Sequence, residues 1–197
     1  MNKPFSPACE RNQKVILDVL QNEFKNSQHI LEVGSGTGQH AVYFAEHLSH
    51  LVWHTSDREM NHAGINLWLD EAKLKNIARP ITLDVNKDNI KHNMFDAMFT
   101  ANTFHIMSWS EVCFCIQKVG DALLEQGLFL IYGPFNFEGQ FTSVSNQNFD
   151  VNLKLSDPEM GIRNFEDIQA QCEAVNLVYQ KKYLMPANNM ILVFKKI

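Results

Sequence analysis

A glycine-rich turn between an apolar segment and a helix-forming segment is the feature of this sequence that most restricts its fold. The turn follows Ile30–Val33 and reads Gly34-Ser35-Gly36-Thr37-Gly38. Glycine allows left-handed backbone angles and lets a ligand approach without meeting a Cβ atom, and the N-terminus of the following helix supplies unpaired N–H groups. The segment therefore predicts a strand–turn–helix unit that binds a nucleotide-type cofactor.

Apolar periodicity alternates between helix-like and strand-like segments along the chain, which is typical of βαβ units and a mostly parallel sheet. We expect a single α/β domain over residues 1–197, with a seven-stranded sheet, helices on both faces and a final antiparallel hairpin. The pattern predicts helices over 15–24, 41–48, 61–74, 110–125 and 165–175, and strands over 30–33, 51–55, 80–85, 95–100, 128–132, 177–184 and 190–195.

Residues 133–163 interrupt this alternation, because they are rich in Asn, Ser, Gly and Pro and show little periodicity. We expect them to form a long loop that closes over the cofactor site. For the neighbouring helices, Ser110 is the predicted N-cap of one, and Asn164 with Asp167 is the predicted capping pair of the other.

Composition narrows the classes of partner. The formal net charge of -5 and the pI of about 5.9 argue against nucleic acid as a substrate. No run approaches the roughly 18 apolar residues of a membrane span, and the four cysteines form no CxxC pair. We therefore expect a cytoplasmic protein with reduced thiols, no membrane partner and no metal site; the sequence gives no prediction of the oligomeric state.

The spacing of the glycines separates two cofactor classes. The dinucleotide fingerprint GxGxxG would require glycine at position 39, where this chain has Gln39. The GxGxG run instead resembles motif I of the class I S-adenosylmethionine-dependent methyltransferases, which have a Rossmann-like fold. This resemblance implies that Glu32 organises the methionine end of S-adenosylmethionine and that Gly34, Ser35, Gly36, Thr37 and Gly38 lie beneath the cofactor.

Two acidic residues follow the next two predicted strands. Asp57 stands about twenty residues past the glycine turn, where a carboxylate can accept both hydroxyls of a ribose. An NAD enzyme would use the same residue, and a helix N-cap is a further alternative. By resemblance, Asp84 accepts the adenine amino group and the Val85 N–H meets the ring, although an aspartate here is also a common turn former.

The segment after the fourth predicted strand is the expected reaction centre. Asn102 is predicted to contact the cofactor and to orient the substrate, and His105 has the ordinary pKa of a general base for a hydroxyl or an amine. Trp109 is a candidate substrate contact, although an aromatic residue at this place is more often part of the core. Methyl transfer can also proceed through positioning and water exclusion alone, with His105 a structural residue.

Strings in both halves of the chain resemble the methyltransferase-like protein 26 family. They include Glu10-Arg11-Asn12, Gly36-Thr37-Gly38-Gln39-His40, Ser145-Asn146-Gln147-Asn148-Phe149-Asp150, Asp157-Pro158-Glu159-Met160-Gly161-Ile162-Arg163 and Met185-Pro186-Ala187-Asn188-Asn189. We predict substrate contacts at the polar residues Ser145, Asn146, Arg163 and Asn188. For Arg163 the alternative is an ion pair that pins the loop to the domain.

The sequence thus predicts an S-adenosylmethionine-dependent methyltransferase that acts on O or N of a small molecule. The alternatives are a protein that binds S-adenosylmethionine without turnover, a protein methyltransferase, and an NAD-dependent oxidoreductase. Gln39 and the terminal hairpin argue against the last of these.

Overall fold

A computed structural model describes residues 3–197 of the chain, with six helices and nine strands. The helices are α1 (Pro7–Glu23), α2 (Gln39–His47), α3 (Glu59–Ala72), α4 (Trp109–Ala122), α5 (Val144–Ser156) and α6 (Phe165–Glu173). The strands are β1 (His29–Val33), β2 (Val52–Asp57), β3 (Ile77–Thr82), β4 (Phe95–Ala101), β5 (Leu123–Gly133), β6 (Phe135–Asn136), β7 (Arg163–Asn164), β8 (Leu177–Met185) and β9 (Asn189–Lys196).

Seven of these strands form one sheet in the order β3-β2-β1-β4-β5-β9-β8. Strands β1 to β5 run parallel, while β9 is antiparallel to both of its neighbours and closes the sheet with the β8–β9 hairpin. This confirms the predicted fold class. The chain order reverses between β1 and β4, so the carboxyl ends of these two strands border the crevice in which open α/β sheets bind ligands.

Alternating side chains of the central strands enter two separate cores, one on each face of the sheet. Leu31 of β1 and Met98 of β4 pack with α4 and α6, whereas Ile30 and Phe99 pack with α1 and α2. Because successive side chains of a strand point to opposite faces, Glu32 faces the same side as Ile30. The buried carboxyl group at the end of β1 therefore points toward α1 and α2.

The bounds of several elements differ from the prediction, and the differences at α1 and β3 bear on the site. Helix α1 begins at Pro7 rather than at 15, because Ser6 is its N-cap: the Ser6 hydroxyl accepts a hydrogen bond from the Cys9 N–H at 3.3 Å, and proline occupies the first turn. Strand β3 ends at Thr82 rather than at 85. Asp84 therefore lies in the turn beyond the strand.

The expectation of a long loop over residues 133–163 is wrong. This segment holds β6, the 13-residue helix α5 and the first residue of β7, and β6 and β7 pair in parallel as a small second sheet. The buried residues of α5 are Asn146, Asp150 and Leu153. Their spacing is helical, but two of the three are polar, so a search for apolar periodicity misses the helix.

The predicted N-cap of α4 is also wrong, by two residues. Ser108, not Ser110, is the N-cap: its hydroxyl accepts from the Glu111 N–H at 3.2 Å, and the Glu111 carboxylate accepts from the Ser108 N–H at 2.8 Å. This reciprocal pair is a capping box. Asn164 does stand at the N-cap of α6, but its side chain donates to the Asp167 carboxylate at 3.0 Å instead of capping the backbone.

The four cysteines are free thiols; Cys115 and Cys172 are buried in the core, whereas Cys9 and Cys113 are half-buried. Within residues 3–197, no helix combines the length and the apolar character needed to cross a bilayer. The same residues hold no group of three or more His, Cys, Asp or Glu side chains arranged to bind a metal ion.

The corrected cap of α4 predicts a difference between two serine variants. Ser108→Ala leaves the Glu111 N–H without its partner and should lower the free energy of unfolding by about 1 kcal/mol. Ser110→Ala is the matched control and should cost less than half as much, because it loses only a side-chain contact with Ser108. Urea unfolding measures both, and equal losses would contradict the assignment of the cap.

Candidate functional site

A cavity of about 950 Å³ opens at the carboxyl ends of β1 and β4. Five parts of the chain form its wall: α1 with its cap; the end of β1 with the glycine turn and the start of α2; the ends of β4 and β5 with the residues that follow them; α5; and the β8–β9 turn with the first residue of β9. The lining residues are Ser6, Ala8, Cys9, Arg11, Asn12, Val15, Glu32, Gly34, Ser35, Gly36, Thr37, His40, Ala101, Asn102, His105, Tyr132, Pro134, Ser145, Asn146, Phe149, Pro186, Ala187 and Asn189.

The three glycines of the turn all have positive φ angles, but they are required for different reasons. A Cβ atom on Gly34 would meet Thr103 Cγ2 at 2.6 Å, and one on Gly38 would meet the Ile65 backbone at 3.1 Å, so these two positions allow close packing. A Cβ atom on Gly36, whose φ is +58°, would meet no protein atom within 4 Å. Gly36 is therefore the position where the bare backbone faces the open cavity.

Glu32 lies at the base of the cavity with 2% of its surface exposed. Burial raises the pKa of its carboxyl group to about 7; the nearby Asp57 charge adds to the shift, while hydrogen bonds from Ser35 and Trp53 oppose it. The Trp53 indole N–H donates to Glu32 Oε2 at 3.3 Å. A bound cation would favour the ionised carboxylate, so Glu32 suits a ligand that carries a positive charge.

Asp57, the predicted ribose residue, does not line the cavity. Its carboxylate oxygens accept hydrogen bonds from the Gly36 N–H, the Arg58 N–H and the Asn61 amide, each at 2.7 Å. These contacts tie the glycine turn to the end of β2. The structure thus shows Asp57 fixing the turn, and the ribose contact stays a prediction.

Asp84 and Val85, the predicted adenine residues, also lie outside the cavity wall. Asp84 Oδ1 accepts from the Asn86 N–H at 3.0 Å and Oδ2 pairs with Lys87 at 3.4 Å, which is the turn-forming alternative. The Asn86 hydrogen bond is the main cause that lowers the pKa of Asp84. The Val85 side chain is buried in the core beside Leu83.

The structure brings both predicted catalytic residues to the cavity. Asn102 has a φ of 59° and its N–H donates to the Tyr132 carbonyl at 2.9 Å, so the turn after β4 holds it in a conformation that few non-glycine residues adopt. The His105 ring packs edge-on against Phe149 with 5.2 Å between ring centres. Backbone strain of this kind tends to occur at functional sites.

His105 is held in its neutral form. Burial, together with the positive charge of Arg163, lowers the pKa of its imidazole to about 4, and no hydrogen bond within residues 3–197 contributes to the shift. At neutral pH the ring therefore carries one N–H donor and one free acceptor nitrogen. The acceptor nitrogen is able to take a hydrogen bond from a ligand in the cavity.

Two of the four predicted substrate residues of the C-terminal half line the cavity, namely Ser145 and Asn146 of α5. Asn188 contacts both of them from outside: its amide donates to Ser145 Oγ at 3.1 Å, and its carbonyl accepts from the Asn146 amide at 3.2 Å. It therefore supports the cavity wall.

Arg163 is committed to the protein backbone. Its guanidinium donates to the carbonyl oxygens of Phe104 at 3.0 Å, Glu159 at 2.7 Å and Met107. These bonds pin the segment before α6 to the turn after β4, so Arg163 has a fastening role of the kind foreseen in its alternative interpretation, through carbonyl groups rather than an ion pair. Trp109 is the first residue of α4 and packs against the apolar core, outside the cavity.

Sequence reasoning missed the wall that α1 contributes, which includes Arg11 and Asn12, and it missed His40. The His40 imidazole Nε2 pairs with Asn12 Oδ1 at 2.7 Å, and its burial lowers the pKa of the ring to about 4. The signal for α1 was present, since Ser6 followed by Pro7 is a typical start of a helix. His105 was found, but Tyr132 and Phe149 enter the cavity from elements whose spatial neighbours the sequence does not reveal.

Comparison with known proteins identifies the family. A model described as "Protein of unknown function (DUF938)" matches residues 3–196. The chain belongs to this DUF938 family. The narrower resemblance to the methyltransferase-like protein 26 family stays a prediction.

Solved structures of methyltransferases share the DUF938 chain's fold. The apo form of the S-adenosylmethionine-dependent methyltransferase SibL has a TM-score of 0.81 and 18% identity, and the alignment covers 96% of this chain and 55% of that chain. An O-methyltransferase family protein from Burkholderia thailandensis has a TM-score of 0.81 and 11% identity, with coverage of 96% and 57%. Human N-acetylserotonin methyltransferase in complex with SAM has a TM-score of 0.78 and 14% identity, with coverage of 96% and 52%.

These similarities place the chain in the Rossmann-like class I methyltransferase fold. The DUF938 chain spans about half the length of the structures that it matches. At such low identity the likeness concerns the fold alone.

The buried carboxyl group predicts an unusual dependence of stability on pH. The pKa of Glu32 rises from 4.5 in the unfolded chain to about 7 in the folded protein, so its contribution to stability is present below pH 4.5 and is lost as the pH rises through 7. Glu32→Gln removes this loss. Relative to wild type, the variant should gain roughly 2–3 kcal/mol of unfolding free energy between pH 5 and pH 8.

Urea unfolding at the two pH values measures this gain. Glu46→Gln is the control, because it removes an exposed carboxyl group from the same protein and should show no such gain. A Glu32→Gln variant whose stability relative to wild type is the same at pH 5 and pH 8 would show that the Glu32 carboxyl is not desolvated.

Proposed function

We propose that this protein is an S-adenosylmethionine-dependent methyltransferase that transfers a methyl group to an oxygen or nitrogen atom of a small molecule. The observation that carries the proposal is the Gly36 position, where bare backbone on a strand–turn–helix unit faces a cavity of about 950 Å³ with a buried acid, Glu32, at its base. The methyltransferase fold of the solved structures supports it.

The residues of the cavity fit the proposed cofactor. Gly34, Ser35, Gly36 and Thr37 present the glycine turn to the ligand, and Glu32 offers a carboxylate to the positively charged methionine end. Asn102, which directly follows β4, lines the same cavity. Gly38 packs closely against Ile65 of α3, and the Asp57 carboxylate accepts a hydrogen bond from the Gly36 N–H; both contacts fix the turn.

The ribose and adenine contacts of Asp57, Asp84 and Val85 belong to the same proposal by resemblance. In the structure the Asp57 carboxylate accepts three hydrogen bonds from the protein, and the Asp84 carboxylate accepts one and pairs with Lys87, so a ligand would compete with these neighbours for the carboxylate oxygens. The cavity volume of about 950 Å³ lies within the range of roughly 300–1,000 Å³ that is typical of small-molecule sites.

When bound, the cofactor supplies a methyl group on a positively charged sulfur. The protein has to align the acceptor atom, exclude water and receive the acceptor's proton. His105 is suited to the last task, because its neutral ring has a free acceptor nitrogen in the cavity wall. The imidazole accepts a hydrogen bond from the acceptor's O–H or N–H group and orients it. As the acceptor bonds to the methyl carbon and the carbon–sulfur bond breaks, the imidazole takes the acceptor's proton and, because its pKa is about 4, passes it on to solvent water.

The acceptor side of the cavity supports a small substrate. Helix α5 contributes Ser145, Asn146 and Phe149, and the β8–β9 turn contributes Pro186 and Ala187. The contacts of Asn188 with Ser145 and Asn146 join these two elements behind the cavity wall. A concave wall braced in this way suits a compact molecule.

Two glycine variants test the proposal. Gly36 and Gly139 both have positive φ, and at both positions an added Cβ would meet no protein atom within 4 Å, but only Gly36 lines the cavity. Alanine should therefore cost about 1–2 kcal/mol of stability at either position. In calorimetry, Gly36→Ala should weaken the binding of S-adenosylhomocysteine at least tenfold, while Gly139→Ala should bind like wild type.

The outcome that contradicts the proposal is wild-type affinity in folded Gly36→Ala protein. Circular dichroism and urea unfolding of both variants verify that they are folded. A parallel loss of affinity in Gly139→Ala would assign the effect to backbone strain rather than to the cavity.

A further inference from the structure

The N-terminal helix presents one polar stripe to the cavity. Ala8, Arg11, Asn12 and Val15 line it at the i, i+3, i+4, i+7 spacing of a single helix face. The neighbouring face of α1, which includes Ile16 and Leu20, is buried in the core with α2. The string Glu10-Arg11-Asn12 therefore includes two residues that face the proposed cofactor.

Two side chains directly after the glycine turn hold this helix in place. Gln39 accepts a hydrogen bond from the Ser6 N–H and donates to the Ser6 carbonyl at 3.4 Å. His40 pairs with Asn12 at 2.7 Å, one residue from Arg11. The position of Arg11 is thus set relative to the glycine turn.

The segment before α1 is fastened as well. The Trp68 indole N–H donates to the Pro4 carbonyl at 2.7 Å, and Lys3 pairs with Glu71 at 2.7 Å. Both partners belong to α3. The start of the described chain is therefore held to α3 while α1 itself is held to the turn, and the polar stripe keeps its orientation.

The charges of the cavity wall form one complementary pair. Among the described lining residues, Arg11 is the only lysine or arginine and Glu32 is the only residue with a carboxyl group. None of the ion pairs within residues 3–197 involves Arg11. A free guanidinium on a cavity wall is suited to a carboxylate, which it binds through two parallel hydrogen bonds.

We propose that Arg11 binds the carboxylate of the cofactor's amino-acid tail. This inference rests on the proposed function. The tail carries one ammonium and one carboxylate group, and the cavity wall offers one carboxyl group and one guanidinium group to match them. Arg11 and Glu32 therefore recognise the two charges of the tail separately, and the Gln39 and His40 contacts keep the guanidinium on the side of the glycine turn.

A pair of ligands isolates the carboxylate contact. S-Adenosylhomocysteine carries the amino-acid tail, whereas 5′-methylthioadenosine has the same adenosine and thioether but no tail. By calorimetry, Arg11→Gln should weaken S-adenosylhomocysteine binding by roughly 10- to 100-fold, the loss expected for a charge-assisted hydrogen-bonded pair. Its affinity for 5′-methylthioadenosine should stay within twofold of wild type.

A matched variant on the same helix controls for net charge. Lys14 is exposed, pairs with Asp18 at 3.3 Å and does not line the cavity, so Lys14→Gln should bind both ligands like wild type. Arg11→Lys keeps the charge but not the two-point geometry, and it should fall between wild type and Arg11→Gln.

Two results would overturn the inference. Equal weakening of both ligands by Arg11→Gln would mean that Arg11 shapes the cavity without binding the carboxylate. Unchanged affinity for both would mean that its guanidinium is left for a carboxylate of the acceptor. Wild-type protein that binds neither ligand is a separate result, because it contradicts the proposed function itself.

Discussion

The hydrogen bond from the Gly36 N–H to the Asp57 carboxylate, 2.7 Å long, joins the ends of β1 and β2 and fixes the turn on which the cavity is built. Gly34 and Ser35 extend this link, since both of their N–H groups donate to the Ser56 carbonyl. The turn consequently cannot shift without breaking bonds to the neighbouring strand. A preformed turn of this kind spares a ligand the entropic cost of ordering it.

The second structural requirement is that the glycine turn and the start of α2 fix the position of α1. Gln39 stands where the dinucleotide fingerprint GxGxxG has its third glycine. The Gln39 side chain forms hydrogen bonds with the Ser6 backbone. His40 holds Asn12. Gln39, which distinguishes this turn from the dinucleotide fingerprint, is thus one of the two residues that attach the N-terminal wall, so the cavity and the motif form one unit.

Much of the fold can be predicted from the sequence, because helix-like and strand-like segments that alternate along the chain with short connections are compatible with few topologies. The glycine turn, Glu32, Asn102 and His105 were predicted and lie together. The errors have physical causes: α5 buries Asn146 and Asp150 rather than apolar residues, and Ser108 rather than Ser110 completes a capping box. For Arg163 the sequence leaves a substrate contact and a fastening role open, because it does not show that backbone carbonyls surround the guanidinium.

Binding of S-adenosylhomocysteine and of NAD to the wild-type protein, compared by calorimetry at pH 8, tests the central claim most directly. Glu32 is mostly ionised at this pH, so a positively charged amino-acid tail should be bound at full strength. The account predicts saturable binding of one S-adenosylhomocysteine per chain and no binding of NAD. Saturable binding of NAD without binding of S-adenosylhomocysteine would contradict it.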